Sequence, residues 1–160
     1  MQSVARVVVR VSLWLSLLLG APLLAQSLQK SAIQVDPGNT KQVGATFGYR
    51  LTYNCSSVSG PCLNAEVVDL LPPEVQQVST VPASPTGDVA AITVTPNFGG
   101  SGRTRVRFQM ITPLPAGNSG DLIINVRFPN GSTPNGTVAI NTADGINLGA
   151  TPGTFTTPPV

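Results

Sequence analysis

What most constrains this chain is a set of segments in which apolar residues recur at every second position. From Thr46, the residues Phe47, Tyr49, Leu51 and Tyr53 share one face, while Thr46, Gly48, Arg50, Thr52 and Asn54 share the other. A period of two marks a strand with one buried side. From Arg103, the same pattern sets Val106, Phe108 and Met110 inward and Arg103, Arg105, Arg107 and Gln109 outward. From Asp121, it sets Leu122, Ile124, Val126 and Phe128 against Asp121, Asn125 and Arg127, with Ile123 breaking the polar set. Weaker runs lie at Ser31 to Val35, Leu63 to Leu71, Glu74 to Thr80, Val89 to Thr95 and Thr137 to Thr142. Helical periodicity is absent, so the pattern predicts seven or eight strands.

Turn chemistry separates these runs. Asp36-Pro37-Gly38-Asn39, Ser59-Gly60-Pro61, Pro72-Pro73, Pro82 to Gly87, Asn97 to Gly102, Pro113 to Gly120 and Pro129 to Gly136 gather Pro, Gly, Asn and Ser where φ must be fixed or positive. A disordered chain would not keep strict alternation between such turns. Short strands at this spacing predict an all-β, immunoglobulin-like sandwich, with a barrel as the alternative. The expected organisation is a sandwich over 26–149 and a Thr/Pro/Gly-rich linker or tail over 150–160, leading toward a further module or an anchor.

Residues 1–25 read as a secretion signal. Arg6 and Arg10 precede an apolar, Leu-rich run from Val11 to Leu24, and Gly20, Pro22 and Ala25 supply a break and a small residue at the cut. The run is about 14 residues, shorter than the roughly 20 that span a bilayer, so no membrane span is expected in the mature chain. Gln26 after the cut excludes a lipidated Cys there. The predicted location is secreted or at the cell surface.

Removing Arg6 and Arg10 leaves seven basic residues against seven acidic ones. A neutral body offers no attraction for phosphate backbones, which argues against nucleic-acid binding. The chain contains no His. That removes the commonest general base and every triad built on imidazole. Lys30 and Lys41 flank a Pro-Gly turn without a Ser-x-x-Lys spacing. The expectation is a protein that is not an enzyme and needs no cofactor.

Cys55 and Cys62 are the two cysteines. In an exported chain an even count predicts a disulfide. A zinc site would need four N or S ligands, and no other Cys or His exists. Asp88, Asp121 and Asp144 fall at strand ends or loops but do not form the dense oxygen run of a calcium loop, so no metal is expected. Asn54, Asn130 and Asn135 match the glycosylation pattern, and the Asn-Gly pairs also serve as turn residues.

Two stretches resemble a known family. The first runs from Gly44-Ala45-Thr46-Phe47 through Tyr49-Arg50-Leu51-Thr52-Tyr53 to Val67-Val68-Asp69-Leu70-Leu71-Pro72-Pro73. The second joins Pro113-Leu114-Pro115-Ala116-Gly117, Gly120-Asp121-Leu122, Val126-Arg127-Phe128-Pro129-Asn130-Gly131 and Gly136-Thr137-Val138-Ala139-Ile140-Asn141-Thr142-Ala143. Both resemble the domain of unknown function eleven, the conserved repeat domain of bacterial surface and exported proteins, over roughly residues 28 to 146. The resemblance implies an immunoglobulin-like stalk, spacer or adhesive module without catalytic residues.

Three constellations are candidate sites. Asp69 precedes a Pro-fixed corner, where its carboxylate is expected to accept backbone N–H bonds. Surface sandwiches of other families can carry a self-formed Lys-to-Asn amide promoted by a buried carboxylate. Its ingredients here are Lys30, Asn141 and either Asp69 or Glu66, although alternation with Val138 and Ile140 is expected to turn Asn141 outward. Arg103, Arg105 and Arg107, with Arg127 beside them, form a cationic face, read either as an edge that resists strand pairing or as a site for an acidic glycan or protein.

Two functions follow as expectations. The first is a non-catalytic exported structural or adhesive surface module touching a cell-envelope component. The second is a soluble protein that binds a glycan or protein partner through its loops or Arg face.

Overall fold

The computed structural model describes residues 27–56, 60–82, 86–131, 133–149 and 153–160. The predicted signal peptide lies outside them. Nine strands follow in order: β1 (Leu28–Ile33), β2 (Thr46–Asn54), β3 (Glu66–Leu71), β4 (Gln76–Val81), β5 (Val89–Thr95), β6 (Thr104–Met110), β7 (Ser119–Arg127), β8 (Ala143–Ile146) and β9 (Thr154–Thr156). They form two antiparallel sheets, ordered β1-β2-β7-β4 and β5-β6-β3-β8-β9. The fold is the expected all-β immunoglobulin-like sandwich.

The alternations place the core. Phe47, Tyr49, Leu51 and Tyr53 of β2, Val106, Phe108 and Met110 of β6, and Leu122, Ile124 and Val126 of β7 are all buried. Phe128 is half-buried and stacks on Phe47, with ring centroids 5.4 Å apart. In the antiparallel ladder between β2 and β7, Tyr53 pairs with Gly120, and a Cβ on that glycine would stand 2.8 Å from the Tyr53 hydroxyl. The glycine makes room for the ring.

Two segments depart from expectation. The run 137–142 is not in a strand, and the paired element begins just after it, at Ala143. The tail is not a free linker along its described length. β9 pairs with β8, Thr157 is buried, and Val160 exchanges backbone hydrogen bonds of 3.0 Å with Asn141. Its Thr- and Pro-rich composition hides this because the pairing uses backbone groups, which any non-proline residue supplies.

Candidate functional site

The inner faces of the sandwich carry two opposite charges. In β1, Leu28, Lys30 and Ala32 share the face toward the core by the two-residue period. In β3, Val67, Asp69 and Leu71 do the same. The two strands belong to facing sheets, so the lysine and the aspartate project toward each other across the core.

Lys30 Nζ donates to Asp69 Oδ2 at 2.5 Å, and both side chains are fully removed from solvent. The ammonium also donates to the Thr142 carbonyl at 3.2 Å and stands 4.5 Å from the centre of the Tyr49 ring. Burial pushes Lys30 below the ordinary lysine value of 10.5, with Asp69 pulling it back. Burial likewise pushes the Asp69 carboxyl above 3.8, opposed first by Lys30. Desolvation thus drives both groups toward their neutral forms.

Asn141 completes the cluster. It is 1% exposed, and its amide lies close enough to Asp69 to favour the ionised carboxylate. Even so, Asn141 Nδ2, Asn141 Oδ1 and Asp69 Oδ1 complete no hydrogen bond of normal geometry. The expected outward orientation is therefore corrected. Val138 and Ile140 are 72% and 65% exposed while Asn141 points in. The period of two survives through 138–141, but its phase is inverted, with the polar member facing the charged pair.

Two further expectations change. Asp69 does not accept backbone N–H groups at the Pro corner, because its side chain faces inward from β3 and its Oδ2 is taken by Lys30. Glu66, the alternative carboxylate, lies on the other face of β3, where Arg107 Nε donates to its Oε2 at 2.7 Å and Arg107 Nη2 reaches Oε1. Hydrogen bonding from Arg107 lowers the Glu66 carboxyl below 4.5.

The cationic row is dispersed among internal partners. Arg103 donates to the Leu70 and Leu71 carbonyls at 2.6 and 3.4 Å, and the Arg105 guanidinium lies 5.0 Å from the Phe98 ring centre. Arg127 is not beside them. It belongs to β7 in the other sheet and donates to Gln76 Oε1 at 3.1 Å. The aspartates weighed for calcium are likewise occupied separately. Asp88 accepts from Tyr53 and Asn118, Asp121 from Thr52, and Asp144 from Thr156. Among the described residues no three potential metal ligands cluster.

Cys55 and Cys62 form the disulfide, with Cα atoms 5.9 Å apart. Cys62 also pairs with Leu114 through two backbone hydrogen bonds. At the opposite end of β2, a groove of about 550 Å³ is lined by Phe47, Tyr49, Phe128, Val138 and Ile140, with Lys41 and Asn135 among its polar residues. Sequence reasoning did not find this groove, since it depends on Val138 and Ile140 facing out. The roles of Tyr49 and the Thr142 carbonyl at Lys30 were also missed. One available signal was a charged residue, Lys30, between Leu28 and Ala32 on one face of β1; β3 gave no matching signal, because each of its two faces carries one acid and two apolar residues.

No protein-family model matches the chain, so the resemblance to the conserved repeat domain is not carried by such a match, and no curated protein matches it either. Solved structures do. The full-length major pilin SpaD of Corynebacterium diphtheriae aligns at a TM-score of 0.57 with 12% identity, covering 84% of this chain and 34% of that one. The C-terminal domain of the antigen I/II polypeptide BspA of Streptococcus agalactiae gives 0.54 and 16%, covering 83% and 48%. A variant of BcpA, the major pilin subunit of Bacillus cereus, gives 0.52 and 14%, covering 83% and 38%. This chain spans a third to a half of those chains, and the likeness is one of fold.

Proposed function

We propose that this chain is a non-catalytic structural or adhesive module displayed outside the cytoplasm. One observation carries the reading: Lys30, Asp69 and Asn141, the chemically distinctive cluster of the described residues, are sealed between the sheets where no substrate reaches them. A buried group of this kind acts on the sandwich itself. It braces β1 against β3 and the segment entering β8. The similarity of fold to pilin domains and the Cys55–Cys62 disulfide support an extracytoplasmic setting. Fractionation of the native host tests it. The chain is expected in the envelope or medium, degraded by protease added to intact cells only after unfolding. Retention in the cytoplasm would overturn the reading.

The groove favours a second reading, a binding protein. Its apolar lining and polar residues suit a ligand or a partner side chain, whereas the Arg face has its cations engaged within the fold. Ile140→Asp, placed in the groove lining, should abolish binding to a glycan or protein partner without unfolding the domain.

A further inference from the structure

We propose that Lys30 and Asn141 are joined by a self-formed amide bond between Nζ and Cγ, driven by Asp69. Four observations carry it. The nucleophile and the carboxylate touch, with Lys30 Nζ 2.5 Å from Asp69 Oδ2. The second acceptor of Nζ, at 3.2 Å, is the carbonyl of Thr142, the residue after Asn141. Asn141 is fixed in place by its reciprocal backbone bonds to Val160. Finally, the Asn141 amide is buried with both of its polar atoms unpartnered.

The last point is the most telling. A buried side-chain amide without partners carries the full desolvation penalty of each unmet group, and native cores hold few of them. As a purely structural residue Asn141 is a poor choice, since an apolar side chain would fit the same place at no such cost. As an acyl donor it has a purpose. The amide nitrogen leaves as ammonia and takes its two unmet N–H groups with it.

The reaction needs nothing from outside the chain. With the proton held by Asp69, Lys30 is a free amine. Its nitrogen attacks Asn141 Cγ while the Asp69 acid hydrogen-bonds to Asn141 Oδ1 and stabilises the developing oxyanion. Asp69 then relays a proton from the attacking nitrogen to the departing one. One C–N bond forms, one breaks, ammonia leaves, and Asp69 ends as it began. Confinement between two sheets supplies the proximity that makes a slow aminolysis feasible. Exclusion of water protects the centre from competing hydrolysis. The bond would tie β1 of one sheet to the segment entering β8 of the other.

Mass spectrometry of the full native chain decides it. The disulfide-corrected mass is expected to fall short by one ammonia. Cyclisation of an N-terminal Gln26 sheds ammonia too, so the deciding observation is the tryptic map. Lys30 should resist cleavage, and the peptide ending at Lys41 should be joined through it to the peptide beginning at Phe128. Lys30→Met, Asn141→Ala and Asp69→Asn should each abolish that branched species. A native chain that is folded by circular dichroism yet cleaved normally after Lys30 overturns the proposal, whatever the variants do. A branched species that persists in Asp69→Asn overturns the role given to Asp69.

Discussion

Lys30 Nζ and Asp69 Oδ2 lie 2.5 Å apart although their strands belong to facing sheets, and neither side chain reaches solvent. Such a pair gains strong attraction in the interior but loses the hydration of both ions. Its worth therefore depends on whether both members are present.

The first prediction follows. Lys30→Met or Asp69→Leu alone leaves the other polar group buried without its partner and should destabilise the domain by about 3–5 kcal/mol. The double variant removes both buried groups and should be more stable than either single one. Urea unfolding of the three proteins checks this. A double variant whose loss equals the sum of the singles would show that the two residues act independently.

The pair of Glu66 and Arg107 sets a pH dependence of known sign. Arg107 holds the folded-state value of Glu66 below the ordinary 4.5, so on acidification the unfolded chain takes up this proton first. Its contribution is fully present above about pH 4.5 and fades as pH falls through the lower folded value. Because both side chains are partly exposed, the effect should stay below about 1 kcal/mol. Asp69 works in the opposite direction, since its folded value is raised. Glu66→Gln should flatten the acid limb of the stability curve, and an unchanged slope would show that Arg107 leaves Glu66 unperturbed.

Removing the disulfide should leave the sandwich intact. The bridge closes a loop with a sequence separation of 7, for which chain entropy gives about 2.5 kcal/mol. Cys55→Ala with Cys62→Ala should melt lower but still cooperatively, with an unchanged β-type spectrum. Alkylation of the native protein should label neither thiol before reduction.

Much of this architecture was legible because hydrophobicity chose the faces. In β2, β6 and β7 one side is so apolar that the period of two also names the buried side. That logic fails where a specific partner chooses instead. Asp69 faces in because Lys30 does, and a run such as Glu66 to Leu71, apolar at four of six positions, does not disclose which parity is internal. Asn141 faces in toward that pair at the expense of exposing Val138 and Ile140. The pairing of β9 was hidden for another reason, since backbone hydrogen bonds leave little trace in composition. The cluster's members could be listed from the sequence, but their convergence depends on sheet packing between residues up to 111 positions apart.

The inverted phase at 138–141 yields the last prediction. If Val138 and Ile140 are as open as the structure shows, removing their apolar groups forfeits little burial, and Val138→Ser or Ile140→Ser should shift stability by no more than about 0.5 kcal/mol. Leu122→Ala, made at a position 1% exposed, supplies the contrast and should cost about 2–5 kcal/mol. The opposite phase, with the aliphatic pair in the core and Asn141 in water, predicts a loss of core size for Ile140→Ser and none for Asn141→Ala. Urea midpoints of these variants separate the two arrangements. A large loss at Ile140 would place Asn141 outside the core, remove it from the reach of Asp69, and take with it the buried cluster on which the cross-sheet brace depends.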